Sequence, residues 1–153
     1  VRYRYDELRA NDYLTGWIEH LFLCAAAPSG VVLHTRWQGR DGGYALQPLA
    51  AEEAQQQLTS LLRLYRAGLT APLHFFPKSA WVYITEGGRL DKARAKWADS
   101  RGQGFGEGDD PVWRLVLRGV ANPLDDGFEA AAQTVLMPLI AQLEPSGTGR
   151  EQK

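Results

Sequence analysis

Apolar residues recur at helical spacing early in the chain. Leu14, Trp17, Ile18, Leu21, Phe22 and Ala25 stand at i, i+3, i+4, i+7, i+8 and i+11, the spacing of one buried helix face. Asn11 or Asp12 is the predicted N-cap, and Ala27-Pro28-Ser29-Gly30 the predicted end. Ahead of this helix, Val1-Arg2-Tyr3-Arg4-Tyr5 alternates large apolar side chains with arginine, the pattern of a half-buried strand. Behind it, Val31, Leu33, Thr35 and Trp37 alternate with Val32, His34, Arg36 and Gln38, a second strand. Gly39-Arg40-Asp41-Gly42-Gly43 then turns the chain into a short third strand at Tyr44–Gln47, so a hairpin is expected, closed by Pro48.

The pattern then changes to helices. One is predicted from about Ala50 to Ala67, with Ala54, Leu58, Leu61, Leu62 and Tyr65 on one face and Gly68 as its stop. Glu52 and Glu53 in its first turn and Arg66 in its last suit the helix dipole. Pro72 and Pro77 forbid a continuous helix through the next stretch, where Ser79 is positioned to cap a short one reaching Trp81 and Tyr83. Asp91–Asp99 reads as a short polar helix, and Ser100–Asp109 as a glycine-rich loop. Asp110 before Pro111 pairs an N-cap with proline at the first helical position, and Gly119 ends the helix so begun. A last helix is expected from Leu124–Asp126 toward Leu143, kinked or divided by Pro138. Strands near the start and helices through the rest predict an α/β (α+β) fold, a small sheet flanked by helices. A single domain over residues 1–144 is expected, followed by a polar, disordered tail over 145–153. The first residue is Val rather than Met, so a fragment of a longer protein is expected.

Charge narrows the functions. Lys plus Arg is 17 against 18 Asp plus Glu, a net charge of −1. A domain that held a phosphate backbone unaided would carry a basic excess. Arg2, Arg4, Arg9, Arg36 and Arg40 nonetheless gather in the first quarter as a possible basic strip. The one cysteine, Cys24, excludes an internal disulfide and suits a reducing cytoplasm; in the run Leu21-Phe22-Leu23-Cys24 it reads as a buried small side chain. No stretch approaches 18 apolar residues, so no membrane span is expected.

Catalytic signatures are missing. His20, His34 and His74 lie on three different predicted elements without metal-binding spacing. Gly102–Gly108 is dense in glycine but lacks the lysine and hydroxyl of a phosphate loop, and Glu107, Asp109 and Asp110 would repel phosphate. Asp109-Asp110 and Asp125-Asp126 each precede a predicted helix, where capping accounts for them. No G-x-S-x-G occurs. Of the five tryptophans, Trp17 reads as a core residue and Trp37, Trp97 and Trp113 as partly exposed near turns or helix ends; Phe75-Phe76 fill space below the prolines.

Three segments add a likeness to a known family. Leu8-Arg9-Ala10-Asn11-Asp12-Tyr13-Leu14-Thr15-Gly16-Trp17-Ile18-Glu19-His20-Leu21, then Ala71-Pro72-Leu73-His74-Phe75-Phe76-Pro77-Lys78-Ser79-Ala80, then Gly106-Glu107-Gly108-Asp109-Asp110-Pro111-Val112-Trp113 resemble the C-terminal part of the RecC family. That family is the gamma subunit of the bacterial exodeoxyribonuclease V helicase–nuclease, RecBCD. The resemblance implies a domain similar to the restriction-endonuclease-type nuclease fold of the partner RecB, but without its catalytic set. Active members hold Mg²⁺ with a carboxylate on one strand and an acid-x-lysine on the next. Here the corresponding strand reads Arg2-Tyr3-Arg4 and the following helix Tyr13-Leu14-Thr15-Gly16-Trp17, and the hairpin Val31–Gln47 has no acid-x-lysine either. No catalytic residue carries over.

What the resemblance implies is therefore a non-catalytic, cytoplasmic bacterial role in processing DNA double-strand breaks. RecB, RecD and DNA would be the partners, no membrane would be involved, and ATP and Mg²⁺ would belong to the partner subunits. Arg2, Arg4, Arg9 and Trp113 are the candidate DNA or partner contacts. Two other readings remain open, a residual metal-dependent nuclease and a protein-interaction module unrelated to recombination.

Overall fold

The computed structural model describes residues 1–98 and 106–144. They form an α/β fold: strand β1 (Arg2–Tyr3), helix α1 (Ala10–Ala26), strands β2 (Thr35–Gly39) and β3 (Gly42–Leu46), and helices α2 (Ala51–Thr70), α3 (Pro77–Thr85), α4 (Leu90–Ala98), α5 (Pro111–Val116) and α6 (Asp126–Gln142), with a 3₁₀ turn at Glu107–Asp109. The chain groups into two compact units, one made of Val1–Leu58 and the stretch from Leu139 onward, the other of Thr59–Pro138. Their boundaries fall inside α2 and, at Pro138, inside α6.

The first unit is built on a three-stranded mixed sheet of order β1-β2-β3. β1 runs parallel to β2 with Arg2 opposite Trp37; parallel neighbours need a long crossover, and α1 lies between them in the chain. β2 and β3 form the expected hairpin, with Trp37 opposite Tyr44 and Gly39 opposite Gly42. Gly42 takes the positive φ of 137° that the tight turn requires. β2 begins only at Thr35, so Val31–His34 precede the strand rather than belong to it.

α1 turns a different face to the core from the one its apolar spacing suggests. Its buried residues are Asp12, Gly16, Trp17, His20, Leu21 and Cys24, while Ile18 and Phe22 of the predicted stripe are exposed. Two features explain the rotation. A Cβ on Gly16 would lie 2.1 Å from the Tyr44 hydroxyl and 2.7 Å from Trp37 Nε1, so only glycine admits this approach to the hairpin. His20 is fully buried because its ring nitrogens are met by Thr35 Oγ1 at 3.0 Å and the Gln47 carbonyl at 2.8 Å. Cys24, buried and unbridged, sits one turn on, its sulfur 3.5 Å from His20 Nε2. Trp37, expected near the surface, is buried, packed on Tyr44 at a centroid distance of 6.2 Å.

Helix ends depart from expectation in instructive ways. α1 starts two to three residues early, with Arg9 as N-cap, and Asp12 works from inside the first turn by accepting the Arg9 amide at 2.8 Å. The C-cap Ala27 adopts the left-handed conformation that ends the helix. Gly68 does not stop α2, which runs on to Thr70, with Ala71 still donating to the Ala67 carbonyl. Pro72 is what ends it, since the residue before a proline is disfavoured as helix. Asp110 caps α5 as predicted, accepting the Val112 amide at 2.9 Å, and Pro111 takes the first position. α6 passes through Pro138 as one helix. Within the predicted loop, Gly106–Asp109 are ordered; Asp99–Phe105 and the predicted tail at 145–153 lie outside the described residues.

The second unit is centred on Phe76, which is wholly buried. Trp97 tilts against it at 4.3 Å, Trp113 meets it edge-on at 5.0 Å and Phe128 stacks at 5.9 Å. Such offset and edge-to-face pairs stabilise by about 0.5–1.5 kcal/mol each beyond area burial.

Candidate interaction surfaces

Of the five arginines in the expected basic strip, Arg2, Arg4, Arg9 and Arg40 are each matched by an acid. Arg2 pairs with Glu19 at 2.6 Å, Arg4 with Asp12 at 2.7 Å, Arg9 with Asp6 at 2.8 Å, and Arg40 with Glu7 at 3.0 Å. The Glu7 backbone N–H, with Arg9, Arg40 and Arg4 around it, holds the Asp6 carboxyl below the ordinary carboxylate value. Four arginines thus face four carboxylates, whose negative charge opposes that of an arriving phosphate. Arg2 and Arg9 are exposed; Arg4 is held deeper, against a largely buried Asp12. Arg36, exposed on β2, is part of no ion pair among the described residues.

Trp113 occupies a different unit from these arginines. It is half-buried on Phe76, so its ring is engaged in packing with one part open. Around it, α5 leaves Val112, Leu115 and Val116 exposed.

The histidines serve the fold. His34 Nε2 meets Glu144 Oε1 at 3.1 Å, and Gln47 donates to that same oxygen. His74 Nδ1 lies 3.0 Å from Asp125 Oδ2, while Asp125 Oδ1 accepts the Phe128 amide and caps α6. Burial pushes the Asp125 carboxyl up, but His74 and the Phe128 amide outweigh it and leave it below the usual value. A shallow cavity of about 320 Å³ sits beside this cap, lined by Leu90, Arg94, Asn122, Leu124, Asp126 and Glu129 among others. Among the described residues no three His, Cys, Asp or Glu side chains gather as metal ligands.

The surface that sequence reasoning missed is on α2. Arg63 and Arg66 are exposed there without a hydrogen bond or ion pair among the described residues. The signal was present, since Ala54–Thr85 contains no acidic residue. Acids interleave the arginines of the first quarter, whereas none interleaves Arg63 and Arg66.

Residues 1–88 match the family described as the RecC C-terminal domain. The chain is also 29% identical over 154 residues to the RecBCD enzyme subunit RecC of Escherichia coli strain K12, an alignment covering 91% of this chain and 14% of that protein. The chain therefore spans about a seventh of the length of this relative.

Proposed function

The chain belongs to the RecC C-terminal domain family, and from that premise we propose that it is a non-catalytic scaffold and strand-guidance domain. It would act within a RecC-type subunit of a helicase–nuclease that processes DNA double-strand breaks. The match over residues 1–88 carries this reading. The side chains support it, because the groups that would do chemistry elsewhere are committed to structure. His20 holds α1 to the hairpin, Asp125 caps α6, and the N-terminal arginines are neutralised by neighbouring acids. The strand that in a nuclease would supply acid-x-lysine offers Arg2-Tyr3-Arg4.

In this reading RecB-type and RecD-type subunits are the partners, they supply ATP and Mg²⁺, and the cell compartment is the bacterial cytoplasm. DNA is met in the assembled complex. Arg2 and Arg9 contribute contacts by exchanging a carboxylate for a partner or phosphate group, and Trp113 through the open part of its ring. Arg4 positions this edge through Asp12. No helix among the described residues is long and apolar enough to cross a membrane.

Co-purification with the matching RecB and RecD subunits at moderate and high salt tests the proposal. Retention of the folded chain by either subunit is the expected result; loss of both, with the chain shown folded, overturns it. Mg²⁺- or Mn²⁺-dependent cutting of DNA by the pure chain would replace it with the residual-nuclease reading.

A further inference from the structure

The C-terminal half of α2 carries more apolar surface than its fold covers. At about 100° per residue, Leu64, Leu61, Tyr65, Leu69 and Leu62 sweep an arc of about 160° around the helix axis. A helix on a globular surface needs an apolar stripe of about 100°. Leu61 and Leu64, at one side of the arc, are half-buried. Leu62, Tyr65 and Leu69, at the other, are 59%, 63% and 68% exposed. These three stand at i, i+3 and i+7, so they form one stripe along the helix. Side chains this large, exposed together in a row, mark an interaction surface.

Charge says what kind of partner fits. Arg66 borders the stripe within about 40° of Leu62, and Arg63 lies about 60° beyond it. Both are exposed and, among the described residues, neither has a carboxylate to answer it. Ala54–Thr85 offers no acid, only Arg63, Arg66 and Lys78. Here the contrast with the N-terminal arginines is direct, because each of the four paired there already has its acid within 3.0 Å.

We infer that Leu62, Tyr65 and Leu69, flanked by Arg63 and Arg66, form a docking face for an amphipathic helix of a separate protein whose apolar stripe is bordered by Asp or Glu. Helix-on-helix docking buries matched i, i+3, i+7 stripes. The arginines add charge-assisted pairing at the rim, which sets orientation and partner choice. Tyrosine and arginine are the side chains that most often dominate such interfaces. The two leucines favour protein over nucleic acid, since a strand held by Tyr65 and the arginines would gain little from them. The inference rests on the scaffold reading only in taking a protein as the partner class.

Two synthetic helical peptides of about 18 residues, or five turns, test it against the intact chain. Both carry Leu at i, i+3 and i+7; one is bordered by Glu and the other by Lys. Fluorescence anisotropy should show the Glu peptide bound at least about tenfold more tightly than the Lys peptide. Leu62→Asp with Leu69→Asp should abolish binding, and Arg63→Glu with Arg66→Glu should reverse the preference. These positions are exposed, so circular dichroism should show the fold intact in every variant. The inference is overturned by binding of neither peptide, by equal binding of both, or by a preference that survives the arginine reversal. It is also overturned by three other results: self-association lost in Leu62→Asp, which makes a second copy the occupant; single-stranded DNA binding that depends on Tyr65 and Arg66 but not on Leu62; or protection of Tyr65 from oxidative footprinting before peptide is added, which puts the same polypeptide there. No RecB or RecD subunit enters this measurement, so its failure and the failure of the scaffold reading are separate results.

Discussion

Glu107 closes the N-terminus of α3 at Ser79: its Oε2 accepts the Ser79 amide at 2.7 Å, while Oε1 accepts that of Lys78 at 3.0 Å. Helix starts leave amides without intrahelical partners, and here the first residues, Pro77 and the N-cap Phe76, have no side-chain oxygen to offer. A carboxylate 28 positions later in the sequence supplies both acceptors. Glu107 is itself buried and in no ion pair among the described residues, so the two amides and the helix dipole are what hold its charge.

Glu107→Ala should therefore destabilise the chain by about 2–3 kcal/mol, the scale of losing hydrogen bonds to a charged group in a buried site. Glu107→Gln should fall between the two, because one of its oxygens becomes an NH₂ facing a backbone donor. Urea unfolding followed by circular dichroism measures both. A loss below about 0.5 kcal/mol for Glu107→Ala, the ordinary scale of a surface change, would mean that solvent replaces the carboxylate.

Ser79 gives the opposite expectation. Its hydroxyl is buried and has no hydrogen-bond partner among the described residues, and it stands inside the first turn rather than at the cap position the sequence suggests. Removing an unsatisfied buried polar atom relieves its desolvation cost. Ser79→Ala should leave stability unchanged or raise it by up to about 1 kcal/mol. If Ser79→Ala proves as damaging as Glu107→Ala, the hydroxyl has a partner that the fold does not reveal.

How much of this was legible beforehand depends on range. The Asp110-Pro111 start of α5, the hairpin around Gly39–Gly43 and the burial of Trp17 and Cys24 are set by neighbours in sequence or by one residue's own chemistry, and the sequence shows them. The capping of α3 by Glu107 joins distant segments, so Ser79, the nearest hydroxyl, looked like the cap. The rotation of α1 depends on the hairpin that it packs against, and periodicity alone pointed to Ile18 and Phe22 rather than Gly16 and His20. The arginines at positions 2, 4, 9 and 40 looked like a basic strip because a linear reading does not show which acids they meet. Membership of the family was legible from three short segments, and the match over residues 1–88 agrees with it.

Gly16→Ala tests the rotation of α1. In an isolated helix the change would favour folding by about 1 kcal/mol. Here the added methyl meets the Tyr44 hydroxyl, which is itself fixed by donating to the Asp12 carbonyl at 3.0 Å, and the buried Trp37 ring. Overpacking of this kind costs about 1–3 kcal/mol, so the net effect should be a loss. A gain in thermal midpoint would show that Tyr44 and Trp37 yield without strain.

His20 should make the first unit sensitive to acid. Burial lowers its pKa below the ordinary value of 6.5, the Gln47 carbonyl offsetting part of this and His34 adding to it. The unfolded chain then takes up the proton before the folded one, so stability is lost as pH falls from about 6.5 through the lowered folded value. Thr35 Oγ1, the Gln47 carbonyl, Cys24 and His34 are the polar groups around the ring, and no carboxylate is among the causes of its shift. His20→Gln should lower stability at pH 7.5 and flatten the dependence between about pH 6.5 and 5.5, above the range where ordinary carboxylates titrate. Denaturant midpoints at several pH values read both effects; an unchanged slope in His20→Gln would assign the acid sensitivity to another group.

The N-terminal arginines should separate by depth when each is replaced by alanine. Arg2 and Arg9 are exposed, and their ion pairs with Glu19 and Asp6 are open to water and salt; exposed pairs of this kind contribute little. Arg2→Ala and Arg9→Ala should leave the thermal midpoint unchanged within error. Arg4 differs, because its guanidinium meets Asp12 at 2.7 Å, and that carboxylate also accepts the Arg9 amide at the start of α1. Arg4→Ala leaves a largely buried carboxylate short of a partner, at a cost of about 1–2 kcal/mol. Salt distinguishes the two situations: 1 M NaCl, with a Debye length of about 3 Å, should screen the exposed pairs and preserve most of the Arg4 effect. If all three variants lose stability equally and salt removes the difference, the cluster acts as one surface network, and Asp12 does not anchor the start of α1 through Arg4.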